Sequence, residues 1–265
     1  MIEKISQEEN SQEIKLNFGK TEALISKQGA YLRKISFNNQ EILFPDGYYQ
    51  IENQSKRRGG MPVLFPWAGS LEGGKQHGFA RDLLWQDLSS HLNSNENEAL
   101  LFLESNSQTK AVFPYQFRNE LHFSLSENGI SCQLTVFNQD KKEMPVAPGF
   151  HPYFKIPKEK LTSVKTNLKN FGLNDYQFTD TLFFPMKEEI KINLGGNYEI
   201  KMKLSGDFLR ASKPQIAAWT DDERYFCIEP WSAPLGGFLK DQEKIIIPPG
   251  EDRKFIMTLS FTSSS

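Results

Sequence analysis

The stretch Phe117-Arg118-Asn119-Glu120-Leu121-His122-Phe123-Ser124-Leu125 alternates in character. Phe117, Asn119, Leu121, Phe123 and Leu125 share one parity, and the other is mostly polar. A period of two marks a half-buried strand, because successive side chains leave a pleated backbone on opposite faces. Asn128-Gly129 then interrupts the run, and Ile130-Ser131-Cys132-Gln133-Leu134-Thr135-Val136-Phe137 follows at strand length. Asn-Gly between two such runs predicts an antiparallel hairpin turning at those two residues.

Similar runs extend in both directions. Glu13 to Phe18, Thr21 to Ser26 and Ala30 to Phe37 read as strands, followed by an Asn38-Asn39 turn and a short run Glu41 to Phe44. Asp82 to Ser89 and Glu98 to Leu103 read as two more, joined by a polar turn from His91 to Glu96. Glu188 to Leu194 pairs with Tyr198 to Leu204 across Gly195-Gly196-Asn197, and Lys254 to Phe261 closes the set. No amphipathic run is long enough for a four-turn helix. The pattern predicts an all-β protein, a large antiparallel β-sandwich forming one domain over residues 1–265.

Composition narrows the function. The 21 phenylalanines favour sheet and supply a substantial core. A net charge of −2 with both signs mixed leaves no basic surface for nucleic acid or membrane. No apolar run approaches the roughly 20 residues that span a bilayer, and the polar start Met1 to Glu9 lacks a signal peptide's apolar segment. A cytoplasmic location is expected. Cys132 and Cys227 lie far apart inside apolar runs, as buried thiols or a disulfide pair.

One segment breaks the strand pattern: Arg57-Arg58-Gly59-Gly60-Met61-Pro62-Val63-Leu64-Phe65-Pro66-Trp67-Ala68-Gly69, with Gln76-His77-Gly78-Phe79-Ala80-Arg81 shortly after. The Gly-Gly step permits turns that a side chain forbids, and the prolines exclude a regular ladder. A structured loop presenting Arg58, His77 and Arg81 is the expected outcome. Two further stretches carry chemistry. Gly149-Phe150-His151-Pro152-Tyr153-Phe154 holds a histidine in a proline corner, and Tyr225-Phe226-Cys227-Ile228-Glu229-Pro230-Trp231 ends an apolar strand on a carboxylate beside an indole. Partial desolvation raises such a carboxyl toward the range useful for proton transfer near neutrality. His91 and His122 read as a solvated turn residue and a polar-face residue. The histidines show no i, i+4 pairing and the cysteines no cluster, so no metal site is indicated. P-loop and Gly-x-Ser-x-Gly patterns are absent as well. Two histidines and a glutamate without a cofactor motif point to proton transfer.

Arg58-Gly59-Gly60-Met61-Pro62, Phe65-Pro66-Trp67, His77-Gly78-Phe79-Ala80-Arg81, Gly149 to Phe154, Cys227 to Trp231 and Pro248-Pro249-Gly250-Glu251 stand in an order that resembles the aldose 1-epimerase (galactose mutarotase-like) superfamily. Within it they look most like the branch of glucose-6-phosphate 1-epimerases and LacX-like proteins. The resemblance implies a β-sandwich that binds a sugar in a concave cleft and interconverts its α and β anomers without a cofactor. It implies Glu229 as general base and His151 as general acid. His77, Arg58 and Arg81 would bind the sugar, together with an aspartate at Asp180 or Asp175. The expected ligand is an aldohexose or its 6-phosphate, a phosphate calling on Arg57, Arg58, Lys75 and Arg81. Trp67, Phe79, Tyr153 and Trp231 would stack on the sugar or fill the core. A glucose-6-phosphate-specific enzyme and a non-catalytic carbohydrate-binding protein are the alternatives. No nucleic-acid or membrane partner is expected, and the assembly is expected to be a monomer or weak homodimer.

Overall fold

The computed structural model describes residues 12–51, 53–92, 97–157, 161–173, 176–178 and 180–263. Strands β1 (Glu13–Phe18), β2 (Thr21–Ser26), β3 (Tyr31–Phe37) and β4 (Gln40–Glu41) form an antiparallel sheet. Asn38 and Asn39 turn between the last two at φ 49° and 59°, the left-handed region that a two-residue hairpin needs. Strands β5 (Gly47–Ile51) and β6 (Gln54–Arg58) make a separate hairpin that ends at Arg58, and β7 (Val63–Leu64) follows.

Next come β8 (Gln86–Asp87), β9 (Glu98–Glu104), a short helix α1 (Ser107–Val112), β10 (Phe117–Ser126) and β11 (Gly129–Asn138). The helix starts on a reciprocal capping box between Asn106 and Thr109. The chain continues through β12 (Met144–Val146), β13 (Gly149–Phe150), β14 (Tyr153–Lys155), β15 (Lys165–Thr166) and β16 (Thr181–Pro185). It ends with β17 (Glu189–Asn193), β18 (Tyr198–Gly206), β19 (Gln215–Trp219), β20 (Tyr225–Trp231), β21 (Ile245–Ile247) and β22 (Asp252–Ser263).

Two sheets build the sandwich. The larger has eight strands in the order β15-β17-β18-β22-β11-β10-β9-β8. The smaller runs β16-β19-β20-β13-β7, with β14 also paired to β20. All described strand pairs within them are antiparallel. Leu121, Phe123, Leu134, Met257 and Leu259 of the large sheet share one core with Phe150, Phe154, Ile216, Phe226 and Ile228 of the small one. Burying each such side chain contributes about 1.5–3 kcal/mol. The expected fold class, strand alternation and all-β character are therefore realised.

Strand β20 is buried along its whole length because it is covered on both faces. Phe226 and Ile228 point into the shared core, whereas Tyr225, Cys227 and Trp231 pack in separate clusters on the other side. Glu229 has the parity of that second set, which places a carboxyl on the cleft face of a central strand.

The structure corrects three local readings. The turn between β10 and β11 lies at Glu127-Asn128, since Ser126 already faces Gly129 across the ladder. Gly129 is needed for a different reason: a Cβ there would sit 2.1 Å from the Leu259 carbonyl oxygen of β22. The strand expected over 82–89 shrinks to Gln86–Asp87 behind a 3-10 turn, Ala80–Asp82. The Leu83 carbonyl and the Trp85 amide bond instead to Gly29 and Lys27 at the β2–β3 turn, and the buried Trp85 indole donates to the Ala80 carbonyl. The run Glu41 to Phe44 likewise contributes only Glu41 to a strand, with Leu43 held by an isolated bridge to Phe154. His91 ends a second 3-10 turn, Ser89–His91, and residues 93–96 of the expected turn lie outside the described residues. His122 points from β10 toward Glu98 at 3.7 Å. Cys132 and Cys227 are both free and buried. Among the described residues no helix is long and apolar enough to cross a membrane.

The close strand approach predicts that Gly129→Ala lowers stability by about 1–3 kcal/mol through overpacking. Gly172→Ala, where a Cβ meets nothing within 4 Å, should stay within about 0.5 kcal/mol of the parent. Urea midpoints at unchanged slope measure both, and equal midpoints would refute the packing argument.

Candidate active site

Four chain segments meet over the small sheet. Strand β6 delivers Arg58 to a Gly-Gly step with φ 91° and 62°. A Cβ on Gly59 would lie 2.0 Å from the Pro45 carbonyl oxygen, so only glycine lets this loop pass. The chain then enters β7, which pairs with β13, and β13 in turn pairs with β20. His151 follows β13 directly and donates its amide to the Pro62 carbonyl. Glu229 and Trp231 come from β20 itself.

His77 sits in the loop between β7 and the 3-10 turn at φ 65°, a conformation that costs a non-glycine residue energy. Two bonds to one residue hold it there. Its amide donates to the Gly69 carbonyl at 2.8 Å, and its Nδ1 accepts from the Gly69 amide at 3.0 Å. Because Nδ1 is the acceptor, the neutral ring carries its proton on Nε2.

These groups line a cleft of about 580 Å³, a volume suited to a small ligand. At its floor His151 Nε2 lies 3.5 Å from Glu229 Oε1. Glu229 Oε2 accepts the Trp231 indole N–H at 3.0 Å. The His77 and His151 rings meet edge to face at 5.2 Å between centroids. Tyr153 stacks on His151 at 4.5 Å, nearly parallel, with its hydroxyl 3.4 Å from Nε2.

Burial dominates the electrostatics. Glu229 is 2% exposed, and desolvation pushes its carboxyl up to about 8 against the Trp231 hydrogen bond and the Arg81 charge, which pull it down. Desolvation, helped by Arg81 and Arg58, lowers His77 to about 3. His151 is held well below its ordinary range by desolvation, then by His77, Arg81 and Arg58. At neutral pH desolvation thus favours the carboxylic acid form of Glu229 and the neutral imidazole of His151.

The cations are mostly committed. Arg58 grips Asp221 with two nitrogens, the shorter contact 2.7 Å, and lies over the Trp219 ring. The Tyr225 hydroxyl donates to the same carboxylate. Arg57 is paired with Asp46 at 2.8 Å, and Lys75, itself outside the lining of the cleft, with the lining residue Asp82 at 2.7 Å. Arg81 lines the cleft, donates to the Gln76 carbonyl, and makes no ion pair with a described carboxylate.

The structure therefore brings Arg58, His77, Arg81, His151 and Glu229 into one cleft. Asp180 is exposed and outside its lining; its carbonyl accepts from Tyr176, while its neighbour Thr181 borders the cleft. Asp175 lies outside the described residues. Trp231 and Tyr153 face the cleft, but Trp67 is buried with its indole on the Lys75 carbonyl and Phe79 packs against Phe65 and Phe117. Sequence reasoning missed Asp221. It reads as part of the polar turn Thr220-Asp221-Asp222-Glu223-Arg224, and only the fold puts it opposite Arg58, 163 residues away.

Comparison with known proteins adds to this geometry. A family model described as aldose 1-epimerase matches residues 12–193. The chain is 31% identical over 138 residues to an Escherichia coli protein with the provisional name glucose-6-phosphate 1-epimerase, the match covering 51% of this chain and 45% of that one. A protein of the same provisional name from Salmonella typhimurium is 27% identical over 157 residues, covering 58% and 49%. The matched stretches span just under half the length of these curated relatives. Among solved structures, the Slr1438 protein of Synechocystis superimposes with a TM-score of 0.79 at 20% identity, covering 95% of this chain and 96% of that one. A galactose mutarotase related enzyme from Lactobacillus acidophilus gives 0.78 at 18% identity, covering 96% and 98%. At such identities the likeness is one of fold.

The raised carboxyl has a signed consequence for stability. Folding favours protonated Glu229, so its contribution is full below the ordinary value of 4.5 and is lost as pH rises through about 8. The loss runs at about 1.4 kcal/mol per pH unit. Glu229→Gln cannot ionise, so its stability relative to wild type should climb between pH 5 and pH 8 and level off above. Urea midpoints of both proteins across that range test it, and a constant difference would contradict the desolvated carboxyl.

Proposed function

The chain belongs to the aldose 1-epimerase family, and we propose that it interconverts the α and β anomers of an aldohexose by acid–base catalysis on Glu229 and His151. The observation that carries this is the buried contact of 3.5 Å between His151 Nε2 and Glu229 Oε1 at the floor of a sugar-sized cleft.

The pair holds one exchangeable proton. Placing it on His151 leaves a carboxylate and an imidazolium, the arrangement that opens a ring. Glu229 takes the proton of the anomeric hydroxyl, the O–H electrons become the C1=O bond, and the C1–O5 bond breaks as His151 protonates O5. Both groups are then neutral, which is the state burial favours, while the open-chain aldehyde occupies the cleft. Rotation about C1–C2 presents the other carbonyl face. His151 then takes the O5 proton, Glu229 returns one to O1, and the opposite anomer forms. Positioned acids and bases contribute roughly 10²–10⁴ in rate, and holding both against one pyranose adds a proximity gain.

The other residues support this chemistry. His77, fixed by Gly69 with Nε2 as its donor, offers a hydrogen bond to a sugar oxygen. Arg81 favours the Glu229 carboxylate electrostatically. Arg58 keeps its orientation through Asp221 and binds hydroxyls with its remaining N–H groups. Trp231 stands beside the base as an apolar wall for the ring.

A hexose 6-phosphate is the second reading, and Arg81 favours it. A phosphate dianion prefers a guanidinium without a carboxylate partner, and among the described residues Arg81 is such a group in the cleft.

Exchange NMR of α-D-glucose, α-D-galactose and α-D-glucose 6-phosphate tests the proposal. Wild type should accelerate anomerisation of at least one sugar. Glu229→Gln should lose about 10²–10⁴ of that rate with KM within a few-fold. Near-normal turnover in the variant would remove Glu229 as the base. Arg81→Ala should raise KM selectively for the phosphosugar if that is the substrate, and alike for all three sugars if it is not.

A further inference from the structure

A thiol lies beside the acid–base pair. Cys227 precedes Glu229 by two residues on β20, so both side chains leave the strand on the same side. Its sulfur, a His151 ring nitrogen and a Glu229 carboxylate oxygen all lie within 4.8 Å of one another, and all three residues are buried. Among the described residues this is the one group of His, Cys, Asp or Glu so arranged.

The set suits one class of cation. Thiolate and imidazole select borderline-soft ions such as Zn²⁺ and Cd²⁺ over Mg²⁺ or Ca²⁺. Zinc bonds of about 2.0–2.3 Å in a tetrahedron put ligand atoms roughly 3.3–3.8 Å apart. His151 Nε2 and Glu229 Oε1 already stand at 3.5 Å, so the sulfur must draw in by at most about 1 Å. Three protein ligands would leave a fourth position free, and two of the three residues, His151 and Glu229, line the cleft.

We propose that His151, Cys227 and Glu229 bind a single thiophilic divalent cation of the zinc type, and that occupancy switches the acid–base pair off. Binding replaces the thiol proton and the carboxyl proton with the metal, both protons leaving to solvent, and no electron is transferred. A ligated imidazole nitrogen has no lone pair left to exchange a proton, and a ligated carboxylate is no longer a free base. Cation binding stands without the mutarotase reading; only the loss of turnover rests on it.

Full-length protein is titrated with Cd²⁺ while the ultraviolet cadmium–thiolate charge-transfer band is followed, and Zn²⁺ is then added as competitor. Wild type and Cys132→Ser should develop the band at one equivalent, Zn²⁺ should displace it, and Cys227→Ser should lack it. His151→Asn, which keeps the thiol, should weaken Cd²⁺ at least tenfold and covers the case in which Cys227→Ser fails to fold. Anomerisation by wild type should fall with the same stoichiometry. Absence of the band in folded wild type, its persistence in Cys227→Ser, or unweakened binding in His151→Asn would overturn the site. Inhibition that does not track the band would overturn the switch. A normal band in a protein that turns over no sugar would sink the mutarotase reading and leave the cation site standing.

Discussion

The site depends on taking one carboxyl out of water. Glu229 is buried because β20 is covered on both faces, by the shared core on one side and by the loops that wall the cleft on the other. Desolvation then favours its neutral form more strongly than Trp231 and Arg81 favour the charged one. The same burial keeps His151 neutral. Oε1 and Nε2 stand at 3.5 Å, and in the proposed reaction one proton serves both groups, its transfer converting the pair into an acid and a base. An exposed glutamate at the same distance would stay ionised near neutrality and would pair with the histidine as a plain surface contact.

The sandwich supplies the rigidity that such a pair needs. The β7–β13–β20 ladder ties the Gly59-Gly60 loop, His151 and Glu229 to neighbouring strands. His77 is held in a left-handed conformation by two hydrogen bonds to Gly69, and strain of this kind persists where the surroundings over-determine it. Arg58 is oriented across the cleft by Asp221, itself held by Tyr225. Supporting hydrogen bonds of this type hold side chains of a functional site to within about 0.5 Å.

Much of this was legible in the sequence where local pattern and tertiary outcome agree. The alternation through Phe117 to Leu125 predicts β10 with its buried parity, and Asn38-Asn39 predicts its turn. Arg58, His77, Arg81, His151 and Glu229 stood out because glycine and proline around them marked loops or strand ends. The misses arise where long-range contacts decide. Gly129 looked like a turn residue, but the close approach of β22 sets its identity. Residues 82–89 looked like a strand, yet their backbone is captured by the β2–β3 turn. Asp221 went unread, since nothing nearby in sequence announces Arg58 as its partner. Asp180 carries the right chemistry in the right region and sits exposed, outside the lining of the cleft.

Desolvation favours a single proton on the buried pair, resident on Glu229. The most direct measurement is NMR of protein labelled with ¹³C at glutamate side-chain carboxyls and ¹⁵N at histidine rings, recorded near pH 6.5. A carboxylic-acid shift for Glu229 and neutral-ring shifts for His151 are expected, with the carboxyl titrating only as pH approaches about 8. An ionised Glu229 across that range would contradict this expectation, whether His151 is charged or not.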